Sequence, residues 1–109
     1  MTIEEHGGSA HVLMRGDLDI STAPRLEEEL RRLEADAPPA TIVLDLQQLT
    51  FMDSTGLRLL ITADARARED DRRLVLVRGN DMIQRVLRIT RLDERLEIVD
   101  DPAAARAGA

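Results

Sequence analysis

An α/β fold, with a mixed β-sheet and helices packed against it, is predicted by three observations. Aliphatic runs of strand length alternate with stretches of helical period. Two short segments at the front are separated by Gly7, Gly8 and Ser9, the composition of a hairpin turn, which would make the sheet mixed. Residues 41–46, TIVLDL, are nearly continuous β-branched and aliphatic sequence, suited to a strand covered on both faces. A chain of 109 residues has the size of one domain, long enough to bury roughly two-thirds of its unfolded surface.

Taken in order, residues 1–5 read as a first strand and residues 10–15 as its hairpin partner, ended by Gly16. Residues 17–20 lead into a loop. Ser21 and Thr22 are helix-start residues, and Pro24 fits a first turn, where its missing N–H costs nothing. Ala23, Leu26, Leu30, Leu33 and Ala37 then recur at steps of three and four and form one apolar stripe. Glu27 with Arg31 and Glu28 with Arg32 stand in the favourable i,i+4 order. Pro38 and Pro39 stop this helix.

After the strand at 41–46, residues 47–53 read as a connection. From Ser54 the period becomes helical, with Gly56, Leu57, Leu60, Ile61, Ala63 and Ala67 on one face, and the charged run 69–73 ends it. Residues 74–77 form another apolar strand. Asn80 or Asp81 caps a third helix whose apolar positions are Met82, Ile83, Val86, Leu87 and Ile89. Residues 96–99 are a last short strand. Asp100, Asp101 and Pro102 open a terminal helix so short that it frays unless docked. The domain is expected to span 1–109, with a core of about 1–100 and a tail or helix at 101–109. Pattern alone does not order the strands.

The composition excludes several kinds of chemistry. There is no cysteine, so disulfides, thiolate metal sites and cysteine nucleophiles are absent. Phe51 is the one aromatic residue, so the core is aliphatic. The formal net charge is −6, and all 15 basic residues are arginine, interleaved with acids. Such a chain is poorly suited to nucleic acid, whose phosphates dominate that affinity. The charges read instead as a solvated surface laced with ion pairs. No long uncharged apolar run is present, which argues against membrane insertion and for a cytoplasmic protein.

Two stretches hold the candidate chemistry. In FMDSTGLRLL (51–60) the doublet Ser54–Thr55 sits between Asp53 and Gly56 where a strand gives way to a helix. An aspartic protease would lack the extra residue after the acid and would carry a second copy. A serine hydrolase would need a base beside Ser54. The two histidines, His6 and His11, both lie in the first hairpin. Asp53 or Ser54 as a helix cap is the structural reading. Capping leaves the doublet, and its place at the carboxyl edge of a strand where sites collect, unexplained. In GDLDIS (16–21), Asp17 and Asp19 after an apolar strand resemble the start of a Mg²⁺-dependent phosphatase of the haloacid dehalogenase type. The other AspAsp pairs, at 70–71 and 100–101, have no spacing that completes such a site. The plainer role of Asp17 and Asp19 is to organise the loop before the first helix.

Read together, GDLDISTAP (16–24), IVLDLQQLTFMDSTGLRLL (42–60) and NDMIQRVLRITRLDERLEIVD (80–100) resemble a STAS domain of the bacterial anti-sigma factor antagonist family. FMDSTGL is the most specific part. The resemblance implies a single STAS-like domain and a binding module, with no catalysis and with neither cofactor nor metal. By position it implies that Ser54 is phosphorylated by a serine kinase that is also the anti-sigma factor. The unphosphorylated form would bind that kinase and release the sigma factor. Phosphorylation would break that complex, and a separate serine phosphatase acting on the phosphorylated form would restore it. The implied docking residues are Asp19, Ser21, Thr22, Asp53, Ser54, Thr55, Gly56, Leu57 and Arg58. Thr55 stands where a second serine is common, and Arg58 where a small residue is often found. Other STAS domains serve as subunits of lipid-transport complexes or signalling scaffolds. Nucleotide binding, reported for some, has no glycine-rich loop or lysine here to support it.

Overall fold

Strand β1 (Thr2–His6) turns back antiparallel on β2 (Ser9–Leu18), and every later strand runs parallel to β2. The sheet order is the chain order, β1-β2-β3-β4-β5. Between the parallel strands lie α1 (Ala23–Ala35), α2 (Ser54–Glu69) and α3 (Asp81–Ile89), and β3 (Thr41–Met52), β4 (Arg73–Val77) and β5 (Glu97–Val99) alternate with them. A 3₁₀ turn (Leu92–Glu94) precedes β5, and α4 (Pro102–Ala107) follows it. The structure is a computed structural model; residues 1–35 and 37–107 are described, with the side chains up to residue 105.

The pleat divides the core. Ala10, Val12, Met14, Ile42, Leu44, Leu46, Leu74 and Leu76 project to one face, where α1, α2 and α3 cover them with Leu26, Leu30, Leu60, Ala63, Ile83 and Leu87. Val43, Val75 and Val77 project to the other face, where Ala105 of α4 is buried against them. The short last helix is therefore docked. Arg73 holds it further, donating from Nη1 to the Ala105 carbonyl at 3.1 Å while pairing with Glu97. That guanidinium keeps the Glu97 carboxyl below its ordinary range.

Two strand boundaries differ from the sequence reading. Gly16 does not end β2. It adopts φ +74 inside the strand, which continues to Leu18. Nor are residues 47–53 a connection, because β3 runs on to Met52. Its pairing with β2 slips twice, between Leu13 and Arg15 and between Gly16 and Asp17, each time by one extra residue on β3. The two irregularities put Leu46, Leu49 and Met52, three residues apart, on the core side.

Other expectations are corrected as well. The first helix ends at Ala35; Ala37 is exposed with φ 46 and is no part of its stripe. Arg32 pairs with Glu29, one residue beyond the expected Glu28, while Arg31 pairs with Glu27 as expected. The last strand begins at Glu97, with Leu96 buried just before it. Met82 and Ile89, expected on the core face of α3, are 46% and 70% exposed, because Ile83, Gln84 and Leu87 form the buried face. Among the described residues no helix is long and apolar enough to cross a membrane.

Candidate functional site

The carboxyl edge of the sheet brings the two sequence stretches together. Asp53, where β3 ends, has extended backbone (φ −99, ψ −172) and is the N-cap of α2. Its carboxylate accepts from the amides of Thr55 at 2.9 Å and Gly56 at 3.0 Å, two of the donors a helix start leaves unpaired. Of the two cap candidates, Asp53 holds the position. Ser54 is therefore the first helical residue; it is exposed, and among the described residues its hydroxyl makes no hydrogen bond. Thr55 is half-buried beside it.

Gly56 explains how the second stretch is held. A side-chain carbon built on it would lie 2.7 Å from the Leu18 carbonyl oxygen, 2.8 Å from Leu18 Cγ and 2.9 Å from Met52 Cγ. Only a residue without Cβ lets α2 start this close to the end of β2. The Asp53 amide donates to that same Leu18 carbonyl at 3.1 Å. Leu57, half-buried, packs against the core beneath.

From Leu18 the chain enters the loop to α1. The Asp19 carboxylate accepts from the amides of Ser21 (2.9 Å) and Thr22 (3.1 Å). Thr22 Oγ1 accepts from the Asp19 amide at 2.9 Å and donates to the Asp17 carbonyl at 2.8 Å. Asp17 accepts from the Thr50 hydroxyl at 3.1 Å, tying the loop to β3. Both carboxylates serve the loop, as their plainer reading requires. Among the described residues no group of three His, Cys, Asp or Glu is placed to hold a metal ion.

Between α1 and α2 runs a groove of about 370 Å³, lined by Ile20, Pro24, Thr55, Arg58 and Leu59 among others. Arg66 of α2 sets the spacing of the two helices, reaching Glu27 through Nη1 and Glu34 through Nε, each at 3.0 Å. Arg58 is exposed, carries no ion pair among the described residues, and stands on the groove wall with Thr55. Ile20, 73% exposed, guards the mouth. Sequence reasoning passed over Ile20, Pro24 and Leu59. The available signal was Ile20 itself, an apolar residue within an otherwise polar loop.

The structure does not bring the histidines to Ser54. His11 pairs with Val43, nine residues before Met52 on the same strand, and His6 lies edge-on to His11 with ring centres 6.0 Å apart. Ser54 therefore has no histidine base.

Comparison with known proteins decides the family. The family model described as "Mlab, STAS domain" matches residues 1–100. The chain belongs to the STAS domain family. The anti-sigma-F factor antagonist RsfB of Mycobacterium tuberculosis is 30% identical over 98 residues, 90% of this chain and 79% of that protein. The anti-sigma-B factor antagonist of Staphylococcus aureus is 32% identical over 87 residues, 80% of each chain. The crystal structure of an anti-sigma factor antagonist from Mycobacterium paratuberculosis superposes with a TM-score of 0.88 at 26% identity, covering 98% of this STAS domain and 90% of that chain.

Proposed function

We propose that this STAS domain is an anti-sigma factor antagonist that binds an anti-sigma factor serine kinase while Ser54 is free and releases it when Ser54 carries phosphate. One observation carries the reading: the Ser54 hydroxyl is exposed at the start of α2 and no bond of the fold depends on it. The names of the relatives support the antagonist role. A separate serine phosphatase resets the switch, and the exchange takes place in the cytoplasm.

The docking surface comprises Asp19, Ser21 and Thr22 on one loop and Asp53 to Arg58 on the other. The hydrogen bond and the close contact at Leu18 join the two loops into one rigid surface. The α1–α2 groove beside it takes an apolar side chain of the kinase. Phosphate at Ser54 gains from the helix N-terminus and is repelled by Asp53, so the fold changes little. A phosphoserine adds about −1.5 to −2 charges. Buried unpaired beneath a partner, that charge costs about 3 to 5 kcal/mol, which lowers affinity by roughly two to three orders of magnitude.

The test is incubation with candidate kinases and ATP, followed by mass spectrometry of the peptide holding Ser54 and Thr55 and by a binding titration. Ser54→Ala should bind and resist modification. Full phosphorylation of Ser54→Ala would refute the acceptor assignment, and tight binding by the phosphorylated form would refute the switch. A second reading, compatible with membership of the STAS domain family, is a STAS subunit of a lipid-transport or signalling complex that uses the same surface without a kinase step. In that case Ser54 stays unmodified while Ser54→Asp still weakens assembly.

A further inference from the structure

Helix α3 is apolar on two sides. Ile83 and Leu87 are buried in the main core, with Gln84 beside them. On the outer side Met82 and Ile89 are exposed and Val86 is half-buried. At about 100° per residue, Ile89 returns to within about 20° of Met82, and Val86 lies about 40° to one side. The three form one line about 10 Å long. Single exposed apolar side chains need no explanation. Five large ones are exposed among the described residues, however, and two of them share this line. Arg85 and Arg88 follow on the side away from Val86, about 60° and 120° round from Met82. Both are exposed, and among the described residues neither guanidinium has an ion pair or hydrogen bond. The one acid of α3, Asp81, stands at its first residue. The next acids, Asp93 and Glu94, belong to the 3₁₀ turn, past Arg91 at φ 61.

We propose that the outer face of α3 docks an acidic amphipathic helix of a second protein. The apolar stripe of that helix packs on Met82, Val86 and Ile89, and its acids meet Arg85 and Arg88. Apolar side chains at this spacing are what a partner helix lays its own stripe against. Charge selects the occupant. The chain carries −6 overall, yet the flank of this stripe is cationic and unpaired. At about 0.15 M salt, charges beyond roughly 8 Å are screened, so the local arginines decide the sign of the partner. A second copy of the chain fits worse. Arg85 lies at the middle of the stripe, so an antiparallel two-fold pair would set it beside its own counterpart. Three side chains on a nine-residue helix also offer a bilayer little apolar area. The surface shares no residue with the loops proposed to dock the kinase, so it stands whether or not Ser54 is a switch.

The test is a titration of the full chain, labelled at its methionine, valine and isoleucine methyl groups and followed by NMR. The probes are a synthetic helical peptide with a leucine stripe flanked by glutamates, its twin with lysines for the glutamates, and phosphatidylglycerol vesicles. The glutamate peptide should give saturable shifts centred on Met82, Val86 and Ile89. An exposed ion pair changes affinity by up to about fivefold. The lysine twin should therefore bind roughly five- to twenty-fold more weakly, and Arg85→Glu combined with Arg88→Glu should reverse that order. Met82→Ser combined with Ile89→Ser should abolish saturation. Both residues are exposed, so this variant keeps the fold, which unchanged core methyl shifts would verify. Absence of saturable shifts at the three residues, equal binding of the two peptides, or saturation that persists in the serine variant would overturn the proposal. So would concentration-dependent shifts without peptide, which mark a second copy, or a response to the vesicles alone, which marks a membrane.

Discussion

Two strand-to-helix turns stand side by side on the carboxyl edge of the sheet, and they solve the same local problem with opposite chemistry. Between β3 and α2 the cap is an acid, Asp53, and the first helical residue is the neutral Ser54. Between β4 and α3 the cap is the neutral amide Asn80, accepting from the Ile83 amide at 2.9 Å, and the first helical residue is the acid Asp81. The Asn80 side chain also donates to the Leu49 carbonyl at 3.3 Å, so that turn is stitched to β3. The first turn leaves a hydroxyl standing free, whereas the second has a fixed charge in the same place and a cap bound to its neighbour. Helix capping is therefore common to both turns, and only the first displays a neutral hydroxyl at its first helical residue, the group that the proposed switch would use.

Exchanging the features of the turns tests this contrast. The largest effect belongs to Ser54→Asp, which gives the first turn an acid at its first helical position, as Asp81 is in the second. In binding titrations it should weaken the kinase partner by at least about tenfold, less than the two to three orders of magnitude expected from phosphate because it carries less charge. Asp81→Ser, the reverse change, should leave that affinity within about twofold. A large loss from Asp81→Ser would make both turns part of the docking surface and end the contrast.

The next effect is on stability. Gly56→Ala forces a carbon against backbone and should cost about 1 to 3 kcal/mol in denaturant unfolding. Gly79→Ala should cost less, because its closest contacts, the Leu46 carbonyl and Ile83 Cγ2, are at 3.2 Å and Ile83 can give way. Equal costs would mean that the approach of α2 to Leu18 is no tighter than that of α3 to β3. Smaller again, Asp53→Ala and Asn80→Ala should each lose about 1 kcal/mol as caps, with Asp53→Asn close to neutral. The smallest change is expected at Arg58. As the i+4 neighbour of Ser54 it would offset part of the charge of a phosphate placed there. Arg58→Ala should then widen the affinity gap between free and phosphorylated forms by about twofold, and an unchanged gap would dismiss that role.

The sequence makes the first turn more legible than its surroundings. Asp53 and Ser54 announce a cap and a candidate hydroxyl because each residue type has few alternative uses at a strand-to-helix junction, while the choice of Asp53 as the cap and the close approach at Gly56 come from the structure. The second half of β3 is hidden because Leu46, Leu49 and Met52 recur every three residues, a spacing that belongs to neither regular strand nor helix. It becomes a strand only through irregular pairing with β2, which no local pattern contains. The exposure of Met82 and Ile89 is hidden for a related reason. Helical period says which side chains align, but the sheet decides which side of α3 is covered. The groove beside Ser54 depends on the distance between two helices, and the ion pairs that fix it join residues 32 and 39 positions apart.

The contact at Gly56 has a practical consequence for protein engineering. The segment 53–57 cannot be transplanted alone into another scaffold as a phosphorylation tag, because its geometry belongs equally to Leu18, far upstream in the chain. A working transplant would have to carry the end of β2 and its loop as well, so the smallest movable unit is the crossover from β2 to the start of α2.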